Sequence, residues 1–314
     1  FMRNLSIWKA FAAYFPVNLI TTATLDPSKT YLMGIHPHGL FSIGAFAAFA
    51  TESVDVRSKL PGITPHLGTL ALNFLFPFTR EYLMSLGLVS VARQSFRSVL
   101  KKAGNAMIVV IGGAEEVKDA QPGNMKLFFE GRHGFAKEAI RAGAHLVPII
   151  SFGENSTYQQ ATNPWPVFEW IRQTLYSIVG VVIPFIWSIC QLWPDFQLFI
   201  FPRRVPINIV IGTPIFVQQC DNPTREQVQL VHDRYGAALI RLYDTHRNEY
   251  SLYPRDPNVP VDDDPHRMHF ESGSTFSISG NDGSDSITHL REVERSERIL
   301  GFPVEGALFS SIID

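Results

Sequence analysis

Charge and cysteine are both scarce in this chain of 314 residues. Charged residues make up 18% of it, below the ~25% usual in soluble domains, and the net charge is −2. This balance gives no bulk attraction to nucleic acid, which we do not expect as a partner. The cysteines, Cys190 and Cys220, do not indicate a disulfide framework or a thiolate metal site. Their scarcity fits a reducing, cytosol-facing compartment.

Apolar sequence is abundant: 46% of the residues are hydrophobic, and 24 are phenylalanine. Charge is absent from residues 30–51, 61–79 and 173–194, each near the ~20 residues that span a bilayer. Histidines, glycines or prolines interrupt these windows, so none of them is a clean spanning helix. We interpret 30–51 and 61–79 as buried core or as re-entrant, interfacial segments. For 173–194, a membrane segment and buried core stay equally open.

Segments of strand type alternate with helical segments along the chain. Continuous apolar runs predict strands at residues 30–35, 106–111, 145–152 and 207–211. Composition and periodicity predict helices at residues 40–50, 81–87, 95–102, 134–141 and 224–248. Thr224 and Gln227 have the spacing of a capping box at the start of the last helix. The alternation predicts an α/β fold in which helices cover a mixed, mostly parallel sheet.

The composition changes after Tyr253, where Pro, Asp, Ser and Gly become dominant. Such sequence buries too little apolar surface to offset the entropy of ordering. We therefore predict a folded domain over residues 1–253 and a mostly disordered polar tail over residues 254–314. Within this tail, residues 291–300 have the composition of a short charged helix.

The first chemical motif is His36-Pro37-His38-Gly39, which follows the predicted strand at 30–35. Pro37 stiffens the backbone and Gly39 permits a tight turn, and in an extended chain both imidazoles point to one side. An imidazole flanked by apolar sequence is costly without a partner, yet it suits a general base that takes a proton from a hydroxyl. Two alternatives stay open: structural histidines in the core, and metal ligands, although no further cluster completes a zinc site.

A second motif, Gly112-Gly113, ends the predicted strand at 106–111 and precedes Glu115 and Glu116. Glycines at a strand end let backbone N–H groups approach a ligand or a developing oxyanion. The glutamates have the chemistry to orient a histidine or to bind a polar head group. A simple turn with a charged helix start is the alternative.

Arg132 precedes a predicted helix that starts at Gly134-Phe135. An arginine and backbone donors at a helix N-terminus suit a phosphate group such as those of CoA, and an ordinary helix start is the alternative. The sequence has no Gly-x-Ser-x-Gly elbow, P-loop or dinucleotide fingerprint. A serine-hydrolase or nucleotide-binding interpretation therefore has no motif to support it.

Together, these motifs resemble those of the diacylglycerol acyltransferase type 2 family, which includes monoacylglycerol and wax-alcohol acyltransferases. The blocks that carry the resemblance lie in order over residues 5–250: Tyr14-Phe15-Pro16, His36-Pro37-His38-Gly39, Pro65-His66-Leu67, residues 80–85, Gly112-Gly113 with Glu116, residues 132–143, and Phe152-Gly153-Glu154. So many ordered blocks make the resemblance specific.

The resemblance implies an acyl transfer from acyl-CoA to diacylglycerol, with monoacylglycerol or a long-chain alcohol as alternative acceptors. His38 would be the base and His36 would position it, while backbone amides near Gly39 or Gly112-Gly113 would stabilise the oxyanion. Glu116 completes the expected catalytic group. Substrate binding is expected at Pro37, His66, Glu81, Gly112, Gly113, Arg132, Gly134, Phe135 and Glu154.

One departure concerns the residue that orients the base. The wider glycerolipid acyltransferases use His-x4-Asp, but here Phe41 and Ile43 stand five residues after His36 and His38. Glu81 and Glu116 are the candidates for this role. A catalytically inactive lipid-binding homologue is a further alternative.

The resemblance also implies a cellular location, a cofactor requirement and an oligomeric state. The family acts at the endoplasmic reticulum membrane and at lipid droplets, with the active site reachable from the cytosol. It needs no cofactor and no metal, and a homo-oligomer is compatible with it. Because the sequence opens with Phe1-Met2, we expect an N-terminal membrane anchor to precede it.

Overall fold

A computed structural model describes residues 1–159, 190–193, 196–198, 202–260 and 263–271. The candidate membrane segment at 173–194 falls mainly outside these residues, and the predicted helix at 291–300 falls wholly outside them. Within the described ranges, no helix combines the length and the apolarity needed to cross a bilayer.

Short strands and helices alternate over the described residues. The strands are β1 Val17–Thr21, β2 Tyr31–His36, β3 Thr64–Thr69, β4 Val89–Ser90, β5 Asn105–Val110, β6 Lys126–Phe128, β7 His145–Phe152, β8 Cys190–Trp193, β9 Phe196–Leu198, β10 Ile207–Ile211 and β11 His269–Glu271. The α-helices are α1 Ser6–Tyr14, α2 Ile43–Ala45, α3 Val56–Lys59, α4 Thr79–Ser85, α5 Arg93–Leu100, α6 Ala114–Lys118, α7 Gly134–Ala142 and α8 Arg225–Tyr250.

Seven strands form the central sheet, in the order β1-β10-β7-β2-β5-β3-β4. Every neighbouring pair is parallel except β10 and β7, which are antiparallel. The prediction of an α/β fold with a mixed, mostly parallel sheet is therefore confirmed. The four predicted strands are β2, β5, β7 and β10, and their bounds differ from the prediction by about one residue at most.

The core lies on both faces of this sheet, and β2 is buried along its whole length. Met33 and Ile35 belong to a cluster with residues of α1 and of the turn Phe46–Ala50. Leu32, on the opposite face, belongs to a second cluster with residues of α5, α7 and α8. Because successive side chains of a strand alternate between faces, burial on both faces requires the continuous apolar run seen in the sequence.

Two of the predicted helices agree with the structure to different degrees. The helix predicted at 40–50 begins only at Ile43, and its second half, Phe46–Ala50, is a π-helical turn. The predicted capping box of α8 is confirmed, because the Gln227 amide donates to Thr224 Oγ1 (3.3 Å) and the Thr224 amide donates to Gln227 Oε1 (2.9 Å).

Residues 263–271 lie within the tail predicted to be mostly disordered, and the structure places them against the domain. Strand β11 pairs in parallel with β6, and Asp264 and Met268 are buried. A polar composition predicted disorder there, but Arg247 pairs with the buried Asp264 carboxylate and so compensates the cost of burying it. The rest of the tail, residues 272–314, lies outside the described residues.

Candidate active site

The predicted site lies at the carboxyl edge of the sheet. Strands β2 and β5 are parallel neighbours, so the segments that follow them meet at this edge. His36 is the last residue of β2, and Gly112-Gly113 follows β5 and leads into α6, which carries Glu116. In open α/β sheets, ligands bind beyond the carboxyl ends of the strands. The topology thus brings the two main sequence motifs together.

The His36 side chain is completely buried. Its Nδ1 lies 3.5 Å from Glu116 Oε1, which is longer than a normal hydrogen bond, and neither ring nitrogen has a hydrogen-bond partner among the described residues. The rings of Phe129 and Tyr235 lie 6.2 and 6.1 Å from its ring. His36 is therefore an imidazole enclosed by aromatic rings, with a carboxylate as its one charged neighbour among these residues.

His38 lies at the edge of the site and is only partly buried. The His36–Pro37 peptide bond is cis, and Gly39, directly after His38, has a φ of +60°. Nδ1 of His38 lies 3.0 Å from the Gly39 carbonyl oxygen and 3.3 Å from Ser42 Oγ. In the tautomer whose Nδ1–H donates to this carbonyl, Nε2 is the basic nitrogen.

Burial lowers the pKa of His38, although the Gly39 carbonyl and the Glu116 carboxylate act in the opposite direction. A lowered pKa keeps the imidazole neutral near pH 7, and only the neutral form can accept a proton. The electrostatics of this position therefore suit a general base.

Glu116 connects the two histidines. One carboxylate oxygen, Oε2, accepts a hydrogen bond from the His38 amide (2.7 Å), and the other, Oε1, accepts one from the Phe128 amide (3.2 Å) and faces His36. The side chain is buried. A Cβ at Gly112 would lie 1.8 Å from the Glu116 Cδ atom, so this position has room only for glycine. Gly112 therefore makes room for the carboxylate.

Glu154 binds the segment that follows the two histidines. Its buried carboxylate accepts hydrogen bonds from the amides of Ile43 (2.6 Å) and Gly44 (2.9 Å) and from Ser151 Oγ (3.0 Å). Burial raises the pKa of Glu154 to about 7 against the effect of these donors. The amide contacts explain why the helix begins at Ile43. Its expected role in substrate binding stays a prediction.

Glu81, the other candidate for orienting the base, is not brought to the histidines. Its carboxylate accepts a hydrogen bond from the Phe78 amide (2.9 Å) at the exposed start of α4. Within the described part of the chain, no hydrogen bond or ion pair joins it to His36 or His38. Of the two glutamates considered, Glu116 is thus the one in contact with the motif.

The remaining predicted binding residues occupy varied positions. Arg132 Nη2 donates to the Gly112 carbonyl (3.1 Å), which joins the start of α7 to the glycine turn. Phe135 is buried, and its ring lies beside those of Phe129 and Tyr235. Gly134 is the first residue of α7, and a Cβ there would contact nothing within 4 Å.

His66 and Pro37 complete the predicted set. His66 lies on β3, and burial lowers its pKa while a hydrogen bond with Asn105 raises it. Pro37 lines a narrow cavity together with Ser151 and Phe152. Within the described ranges, no three His, Cys, Asp or Glu side chains converge in the manner of a metal site.

Tyr235 is a neighbour of the site that the sequence analysis missed. Its buried hydroxyl donates to the Gly34 carbonyl (2.9 Å), and a Cβ at Gly34 would lie 2.1 Å from that hydroxyl oxygen. The available signal was Gly34 itself, since a glycine inside an apolar strand often marks a close approach by another group. Ser42, Phe128 and Phe129 were missed as well.

The fold and site define an α/β enzyme architecture with a candidate histidine base at the carboxyl edge of its sheet. The family model described as diacylglycerol acyltransferase matches residues 1–259, and the chain belongs to this family. The resemblance seen in the sequence motifs is therefore confirmed.

Relatives with two kinds of names are similar to the chain. It is 42% identical to 2-acylglycerol O-acyltransferase 1 of Bos taurus over 256 residues, covering 80% of this chain and 75% of the relative. It is 41% identical to diacylglycerol O-acyltransferase 2 of Xenopus laevis over 259 residues, covering 80% of this chain and 70% of the relative. It is 39% identical to diacylglycerol O-acyltransferase 2 of Homo sapiens over 259 residues, covering 80% of this chain and 65% of the relative. No solved structure matches the chain significantly.

Proposed function

We propose that the protein transfers an acyl group from acyl-CoA to the hydroxyl group of an acylglycerol, with diacylglycerol as the first choice of acceptor. The observation that carries this proposal is the contact of His38 and His36 with the buried Glu116 at the carboxyl edge of the sheet, in a chain that belongs to the diacylglycerol acyltransferase family. The chemistry requires a neutral base beside a lipid hydroxyl, and His38 has the environment of one.

In the proposed mechanism, Nε2 of His38 accepts the proton of the acceptor hydroxyl as its oxygen attacks the thioester carbonyl carbon. The tetrahedral intermediate carries a negative charge on the former carbonyl oxygen, which backbone amides of the glycine turns stabilise. When the intermediate collapses, the carbon–sulfur bond breaks. The proton passes from His38 to the leaving sulfur, which gives the ester and the CoA thiol. Glu116 holds the His38 backbone in place, and no cofactor or metal takes part.

The acceptor is the open part of this proposal. The relatives named for 2-acylglycerol and for diacylglycerol are about equally similar, at 42% and 41% identity, so monoacylglycerol is the alternative and a long-chain alcohol comes third. Membranes containing the expressed protein, supplied with labelled oleoyl-CoA and each acceptor in turn, test the proposal. We expect labelled triacylglycerol as the main product. An absence of labelled ester and of free CoA with all acceptors would support an inactive lipid-binding homologue.

We propose further that the protein associates with a lipid bilayer through the connection between β3 and β4. Five large apolar side chains there are between 47% and 88% exposed: Leu70, Leu75, Phe76, Phe78 and Met84. We call these five residues the apolar patch. Because β3 is a parallel strand of the same sheet, the connection that carries the patch leaves the sheet at the edge that carries the histidines. A surface of this composition is typical of lipid contact, and lipid is the proposed acceptor.

Flotation with phosphatidylcholine liposomes tests the apolar patch. We expect the double substitution Phe76→Ser and Phe78→Ser to reduce the fraction of protein that floats with liposomes. Phe216→Ser is the matched control, since Phe216 is also exposed but contacts His145, which begins β7 at the opposite edge. Equal losses in both variants would contradict the proposal. The endoplasmic reticulum membrane, with the site facing the cytosol, and lipid droplets are the proposed locations, which fluorescence microscopy can check.

A further inference from the structure

Residues 263–271 lie beyond residue 259, where the family match ends, yet they pack against the domain. The segment is attached at both of its ends. Its contacts lead from helix α8 to strand β6 and from there to the residues around His36 and Glu116.

The first attachment is a buried ion pair with α8. Arg247 and Asp264 are 4% and 8% exposed. The two terminal nitrogens of the Arg247 guanidinium, Nη1 and Nη2, both donate to the Asp264 carboxylate, and Nη2 lies 3.0 Å from Oδ1. This arginine holds the pKa of Asp264 at about 2. The hydroxyl of Tyr243, also on α8, donates to the His266 carbonyl (2.7 Å). A two-point contact between a guanidinium and a carboxylate fixes orientation as well as position.

The second attachment is to β6 and the residue after it. Strand β11 is the one strand that pairs with β6 among the described residues. The His269 amide donates to the Met125 carbonyl (3.1 Å), and the Phe129 amide donates to the Glu271 carbonyl (3.2 Å). The Phe270 ring lies 4.9 Å from the Phe129 ring. Backbone pairing and ring packing therefore both set the position of residues 125–129.

The inner side of the same short stretch touches the candidate active site. The Phe128 amide donates to Glu116 Oε1 (3.2 Å), and the Phe129 ring lies 6.2 Å from the His36 ring. A shift of β6 would therefore move a hydrogen-bond donor of Glu116 and a wall of the His36 pocket. Catalysis is sensitive to such shifts, since a displacement of about 1 Å can cost about 100-fold in rate.

We propose that residues 263–271 form a strap that positions Glu116 and His36 through β6, so that residues beyond the family match complete the acyl-transfer site. This inference rests on the proposed function. Phe270 and Asp264 are positioning residues in this scheme: neither touches substrate, and each acts through the strand that holds the glutamate.

A double-mutant cycle between the strap and Glu116 tests the proposal. We expect Phe270→Ala to lower kcat about 10-fold with KM for acyl-CoA little changed, and Phe270→Leu to restore most of the rate. If the strap acts through Glu116, adding Phe270→Ala to Glu116→Gln lowers kcat little further. Losses that multiply in the double variant would overturn the proposal. Asp264→Asn tests the other attachment in case Phe270→Ala folds poorly.

Hydrogen exchange separates a failure of the strap from a failure of the proposed function, because it does not depend on turnover. We expect Phe270→Ala to speed amide exchange in residues 36–44 and 112–129, while Phe216→Ala, at an exposed phenylalanine away from the strap, leaves it unchanged. Unchanged exchange in both variants would overturn the strap even in an active enzyme. An inactive wild-type protein whose exchange responds as expected would overturn the acyl-transfer function alone.

Discussion

Two buried glutamates bind the histidine motif and the segment after it, and they do so in different ways. Glu116 accepts from the His38 amide and faces the His36 ring, so it touches the candidate chemistry directly. Glu154 accepts from the Ile43 and Gly44 amides and from a serine, and it lies beside Gly39, so its backbone hydrogen bonds go to the segment after the histidines. The comparison shows that equal burial does not mean an equal role. A carboxylate acts on catalysis through the groups that its oxygens bond.

The largest expected effect is at His38, whose amide donates to Glu116. We expect His38→Ala to lower acyl transfer about 10²- to 10⁴-fold, because it removes the proposed base. The measurement is ester formation from labelled acyl-CoA by a protein whose thermal unfolding matches that of wild type. Transfer close to the wild-type rate would rule out His38 as the base.

Glu116→Gln comes next and probes the first side of the comparison. An amide keeps the size of the carboxylate but removes its charge and turns an N–H group toward one of the two amide donors, His38 or Phe128. We expect kcat to fall about 10- to 100-fold. A Glu154→Gln variant with an equal or larger loss would break the distinction between the two glutamates.

Gly112→Ala displaces Glu116 without altering its charge. The new Cβ would lie 1.8 Å from the carboxylate carbon, so the side chain has to move. We expect about a 10-fold loss of activity. Gly131→Ala is the control, since a Cβ there meets nothing within 4 Å. Equal activity in both variants would mean that the position of Glu116 is unimportant.

The smallest effect on activity is expected for Glu154→Gln. The main effect of this substitution is on how the stability of the fold depends on pH. The folded state raises the pKa of Glu154 to about 7 from 4.5, so it binds this proton more tightly than the unfolded state does. The contribution of Glu154 to stability is therefore complete at low pH and is lost as the pH rises through the folded pKa. We expect Tm to fall between about pH 5 and about pH 8, and to fall less in Glu154→Gln. Identical slopes would contradict the raised pKa.

The sequence was informative where structure depends on local pattern. The runs that became β2, β5, β7 and β10 are apolar because both faces of the central strands are buried, and the capping box of α8 lies within four residues. Contacts between distant segments were not predictable in this way. The hydroxyl of Tyr235 on Gly34 and the pairing of β11 with β6 join segments far apart in the chain. A strand as short as β11, in polar sequence, has no periodicity to indicate it.

For the candidate site, the motifs identified the histidines and Glu116 but not their surroundings. From the sequence alone, Glu81 and Glu116 were both candidates for orienting the base, because nothing in a linear pattern shows which carboxylate the fold brings near. The motif also named Phe135, but nothing in a linear pattern shows that its ring packs beside Tyr235.

The pairing of β11 with β6 has a consequence for how the protein is made. A ribosome delivers β2, β5 and β6 well before residues 263–271, and domains generally begin to fold from the N-terminal side during synthesis. The sheet and its histidine edge can therefore assemble while Phe128 and Phe129 still lack the strand beside them. A nascent chain would carry the histidines before the strap that positions them, and full activity would begin only once these residues have emerged.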